Sequence, residues 1–225
     1  MQRTKVLECL LLVAEEQRGL FTRSQARTLG VSDEDLSRLS GSDLERIEQG
    51  IWRVRWFPID PAEEIRALFL SLDPARQPAE RSASPKVFVS GRSAAQLYRV
   101  GTLAPHTHEF TLPSGGRSRR QVKLHHAGVE EWRVIDGLPV TTPGRTLADM
   151  VRSRSAAPIH LGDVAGDLLD RGHAQPAELE LALDDVAAEM GSPDGKAALA
   201  GILAEADRRI VTSSPREGSL TEVAR

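Results

Sequence analysis

The sequence predicts an α+β chain: a small helical unit closed by a hairpin, then a mixed α/β unit that ends in several helices. Three observations predict it. Within residues 1–40 apolar residues recur at helical spacing three times, and from residue 44 β-branched and other apolar residues flank a Gln49-Gly50 turn. Residues 86–141 set short β-branched and aromatic runs around a single helical stretch. From residue 142 the apolar spacing is helical as far as about residue 209.

The first run, RTKVLECLLLVAEEQ, places Val6, Leu10, Val13 and Ala14 on one helical face, and Gly19 follows as a stop. In FTRSQARTLG, Thr22 is an N-cap with Gln25 three residues on, the two halves of a capping box, and Gly30 closes the helix. Ser32 caps a third helix, with Asp35 at its third position and Leu36 and Leu39 facing inward. Leu44, Ile47, Ile51, Val54 and Trp56 then flank a Gln49-Gly50 turn, which predicts a hairpin. Three short helices followed by a hairpin is the order of a winged helix-turn-helix.

A fourth helix is predicted from Pro61 with Asp60 as its cap. The Pro-, Ser- and charge-rich stretch 73–85 reads as a linker. Strands are expected in KVFVS, HEFTLP and RQVKLHH, and as a pair across Asp136-Gly137, with a helix in GRSAAQLYRVG. Thr142 as N-cap, Pro143 at the first helical position and Leu147 facing the core open the next helix. Three more follow in IHLGDVAGDLLDRG, PAELELALDDVAAEM and DGKAALAGILAEADRR. The expected organisation is a winged helix-turn-helix with its connecting helix at 1–72, a linker at 73–85, an α/β domain at 86–212 and a polar tail at 213–225.

The single cysteine, Cys9, lies in the apolar run VLECLLLVA and reads as an inert buried thiol. That run is too short to cross a bilayer, so a cytoplasmic chain without a membrane partner is expected. A net charge of −3 conceals a strong asymmetry. Residues 81–126 carry 8 Lys and Arg against Glu109 alone, whereas residues 156–225 carry 6 basic and 13 acidic residues. A basic middle and an acidic end suit oppositely charged partners, or each other.

Catalysis is not expected. A nucleotidyltransferase would pair a Gly-Ser with closely following aspartates to hold metal and phosphates, and neither Gly41-Ser42 nor Gly191-Ser192 has such a pair. Asp184 and Asp185 are adjacent on a helix and face different directions. No G-x-S-x-G elbow or H-E-x-x-H spacing occurs. His106 and His108 alternate on one strand face, but adjacent His125 and His126 diverge and no cysteine is near, so neither a metal nor another cofactor is expected.

The segments GLFTRSQARTLGVSDEDL, LERIEQGIWRV, SGRSAAQLYRVG and above all IDGLPVTTPGRTLADM resemble the AbiEi-type antitoxins of bacterial toxin–antitoxin systems over roughly residues 15–155. The resemblance implies an N-terminal winged helix that represses its own operon and a second domain that counteracts a nucleotidyltransferase-like toxin, by direct contact or by indirect antagonism. The alternative is a stand-alone transcriptional regulator whose second domain senses a ligand or a protein. Operator DNA would be met by Arg23, Gln25, Arg27, Ser32, Ser37, Arg38, Arg46, Arg53 and Arg55, with Arg53 and Arg55 projecting from one face of the wing. Relatives are often arginine-rich in the third helix. This chain has Asp33, Glu34 and Asp35 there, which suit the helix dipole but oppose phosphate. The loop SGGRSRR joins two predicted strands. It reads either as a solvated hairpin loop or as a contact that offers Arg117, Arg119 and Arg120 to nucleic acid or to a toxin, with Lys123 and Arg145 as further contacts. Both a monomer that binds DNA cooperatively and a homodimer fit the sequence.

Overall fold

Two capping boxes fix where the early helices begin. In the first, the Thr22 hydroxyl accepts from the Gln25 amide at 3.0 Å while the Gln25 side chain accepts from the Thr22 amide at 2.9 Å. In the second, the Ser32 hydroxyl accepts from the Asp35 amide at 3.1 Å, and the Asp35 carboxylate reaches back to Ser32. The computed structural model describes residues 2–102 and 107–207; His106 and the tail 213–225 lie outside them. Its first unit runs α1 (Arg3–Ala14), β1 (Leu20–Thr22), α2 (Arg23–Thr28), α3 (Asp33–Leu39), β2 (Leu44–Glu48) and β3 (Ile51–Val54). Both β1 and β2 pair antiparallel with β3. This is a winged helix.

Strand parity divides the three-stranded sheet between two cores. Phe21, Leu44 and Val54 face α1, α2 and α3, where Val6, Leu10, Val13, Leu36 and Leu39 complete a buried cluster. Leu20 and Ile51 face the other way, onto α4 (Glu63–Leu72), and join the larger core of the chain. α4 begins two residues later than Pro61, after a turn in which Asp60 accepts from the Ala62 amide at 2.9 Å. The stretch expected as a linker holds a short helix, α5 (Pro78–Ala83). Pro78 opens that helix, and Glu80 accepts from the Gln77 amide at 2.9 Å. Buried Arg81 stacks over Phe69 of α4 and bonds the carbonyls of Asp73 and Arg76.

The second sheet combines β4 (Phe88–Val89), β5 (His108–Leu112), β6 (Val122–His126), β7 (Trp132–Ile135) and β8 (Leu138–Thr141) in the order β6-β5-β4-β8-β7. Between β4 and β5 runs α6 (Gly91–Tyr98). β7 and β8 form the expected hairpin; Asp136 and Gly137 both have positive φ, as a two-residue type I′ turn requires. β5 and β6 do not form a hairpin. They pair in parallel, His108 opposite Val122 through Leu112 opposite His126, so residues 113–121 run back along the strand. Beyond the sheet, α7 (Pro143–Arg152), α8 (Pro158–Asp170), α9 (Pro176–Asp184) and α10 (Gly195–Glu205) follow among the described residues. Among the described residues, no helix is long and apolar enough to cross a membrane.

Candidate nucleic-acid interface

A groove of about 810 Å³ opens between α2, α3 and the β2–β3 hairpin. Arg23, Arg27, Asp33, Ser37 and Arg46 line it, and Trp52 forms part of its wall. Arg46 is opposite Trp52 in the sheet register and therefore shares the groove side of the wing. The wing tip is anchored there, since the Arg23 amide donates to the Gly50 carbonyl at 2.8 Å. Arg119 of the 113–121 segment also lines the groove and donates to the Ser71 hydroxyl at the end of α4. Four arginines from both halves of the chain thus face one aspartate.

Asp33, the first residue of α3, is engaged by two of those arginines. Arg23 Nε donates to it at 2.5 Å and Arg27 Nη2 at 2.6 Å. The Arg23 bond first, and the Arg27 bond after it, hold the Asp33 carboxyl far below the usual carboxylate range. Asp35 has an unlike environment. It is buried, the Ser32 hydroxyl donates to it at 2.7 Å, and that bond leads in lowering its carboxyl to about 2. Two of the three acids that would oppose DNA are therefore bound within the protein, and Glu34 remains exposed.

Several residues singled out in the sequence lie elsewhere. Gln25 is fully buried: besides its capping bond, its side-chain amide donates to the Arg76 carbonyl at 2.7 Å and to Gln17 at 3.0 Å. It holds α2 in place and does not reach the surface. Arg53 does not project from the wing. It shares the sheet face of Ile51, which α4 covers, and its guanidinium pairs with Glu45 at 2.6 Å and Glu63 at 3.0 Å. Arg55 follows the end of β3 and is exposed, while Ser32 commits its hydroxyl to Asp35. Arg38 is exposed on α3 and pairs with Asp35 at 2.6 Å.

Of the second group, Arg117 and Arg120 are exposed in the segment that carries Arg119. Lys123, on β6, donates to the Ser153 carbonyl just past α7 at 3.3 Å. Arg145 pairs with Asp149 at 2.7 Å and bonds the Gly128 carbonyl, which ties α7 to the loop before β7.

One buried ionic cluster has no counterpart among the sequence expectations. Glu109 is completely buried beside Arg92 at 3.2 Å and His125 at 2.9 Å. Burial alone would raise its carboxyl, but the bond and charge of His125, with Lys123 and Arg92, hold it below the ordinary value. A Cβ on Gly91 would come within 2.5 Å of that carboxylate, so the glycine that opens α6 makes room for it. His108 is buried next door, with its Nδ1 3.1 Å from the Ser93 hydroxyl. These histidines serve hydrogen bonds inside the domain.

No curated protein matches the chain. Among solved structures, the crystal structure of the RV2827C protein from Mycobacterium tuberculosis is similar at 18% identity and a TM-score of 0.47, over 94% of this chain and 84% of that one. Residues 10–55, from α1 through β3, match the family described as transcriptional regulator, AbiEi antitoxin, so that the winged-helix stretch of the chain is similar to this family.

Proposed function

We propose that this protein is the antitoxin and autoregulator of a bacterial toxin–antitoxin pair, acting in the cytoplasm by binding rather than by catalysis. The observation that carries the DNA-binding part is the groove in which Arg23, Arg27, Arg46 and Arg119 converge beside α3. Three of the four come from the winged helix, whose N-terminal part of the third helix and wing meet DNA in other proteins of this shape. Arg23, Arg27, Arg46 and Arg119 hold phosphates, whereas Ser37 and Arg38 on α3 lie within reach of base edges. The family description matched over residues 10–55 supports an antitoxic role. The partner in this proposal is a nucleotidyltransferase-like toxin, counteracted through the second domain.

A promoter–reporter assay joined to a co-expression assay tests this reading. The wild-type chain is expected to repress its own upstream region and to rescue growth when the neighbouring toxin gene is induced. Arg46→Ala should relieve repression while leaving rescue intact, because it removes a phosphate contact and nothing in the second domain. Repression without rescue would instead identify a stand-alone regulator. Loss of neither function in Arg46→Ala would remove the groove from the account.

A further inference from the structure

Two arginines of α2 close around the Asp33 carboxylate. Arg23 reaches its two oxygens with Nε and Nη2, and Arg27 adds a third bond to one of them. Guanidinium groups arranged around a two-oxygen anion are the geometry by which arginine takes carboxylate and phosphate alike. Arg23 and Arg27 stand four residues apart on α2, so one helix face presents both. The anion comes from the first turn of α3. All three side chains are open to water, with 42–57% of their surface exposed, so the contact can exchange with an outside anion.

We propose that Asp33 is an intramolecular stand-in for a DNA phosphate and sets the selectivity of the groove. This inference rests on the DNA-binding reading above. A duplex that offers only phosphates must displace Asp33 and then tolerate its charge, which weakens sequence-independent binding. On a matched site the released carboxylate accepts a hydrogen bond from the exocyclic amino group of a base, a cytosine N4 for example, and its presence costs little. The aspartate thus turns an arginine pair that would bind any DNA into one that yields to a particular sequence. It also accounts for an acidic first turn in a helix aimed at a polyanion.

The test is fluorescence anisotropy of the full chain with its own upstream duplex and with a scrambled duplex, across a salt series. Asp33→Asn should tighten binding to the scrambled duplex about tenfold at about 50 mM salt and steepen its salt dependence by about two, one for each freed arginine. The upstream duplex should gain less, so the ratio between the two falls. Adding Arg23→Ala and Arg27→Ala to that variant should return the slope to the wild-type value or below. Thermal melting of each variant establishes that it is folded. Wild-type binding with scrambled-duplex affinity unchanged or weakened in Asp33→Asn would overturn the role of Asp33 alone. Absence of binding to either duplex by both proteins would overturn the DNA-binding reading itself, and this inference with it.

Discussion

Arg46 and Arg53 carry the same charge on neighbouring strands, yet the parity of the sheet sends them to different tasks. Arg46 shares the face of Trp52 and reaches the groove; Arg53 shares the face of Ile51 and is covered by α4. A charge on a strand is therefore not evidence of a surface until both faces of the sheet have been accounted for. The same holds for Glu109, a buried carboxylate kept ionised by its neighbours. Burial disfavours its charge, but His125, Lys123 and Arg92 together hold it below its ordinary 4.5. Because the folded-state value is depressed, the stability it contributes is fully present above about pH 4.5 and is lost as pH falls through the folded value. Urea midpoints measured from pH 7 down to pH 3 are expected to fall below pH 4.5 in the wild type. Glu109→Gln should be less stable at pH 7 and should flatten that fall.

At the scale of elements, the terminal helices meet through glycines. A Cβ on Gly162 of α8 would lie 2.0 Å from the Ile202 carbonyl oxygen of α10, and one on Gly195 would lie 1.9 Å from the Glu180 oxygen of α9. Gly201 of α10 has nothing within 4 Å of the same position. Opposite outcomes are expected from one chemical change: Gly162→Ala should cost about 1–3 kcal/mol by forcing α8 and α10 apart. Gly201→Ala should gain roughly 0.5–1 kcal/mol by favouring the helix. Chemical denaturation of the two variants compares them directly. Most elements were legible in the sequence because their signals are local. The boxes Thr22–Gln25 and Ser32–Asp35, the Thr142-Pro143 helix start and the Asp136-Gly137 turn each lie within four residues. What escaped was pairing between distant segments. The parallel register of β5 and β6 replaced an expected hairpin, and α4 covered a wing face that the sequence alone left open. Two residues of the candidate site turned on those two facts: Arg53 left it, and Arg119 was brought to it by the returning 113–121 segment.

Across the whole molecule, the charge asymmetry of the sequence takes a definite form. The winged helix is nearly neutral by composition, with 9 basic and 10 acidic residues in 1–60. Three of those acids are held in ion pairs away from the groove: Asp43 with Arg3, Glu45 with Arg53 and Asp35 with Arg38. The arginines left along the groove are then supplemented by the basic middle of the chain through Arg119. In the proposed function this composite surface, built from both halves, binds nucleic acid. The most direct test is the slope of log affinity against log salt for the upstream duplex, measured for the wild type, Arg119→Ala and Arg53→Ala at one temperature below all three melts. A slope shallower by about one is expected in Arg119→Ala, from a residue outside the winged helix, and no change in Arg53→Ala. An unchanged slope in Arg119→Ala, or a loss in Arg53→Ala alone, would contradict it.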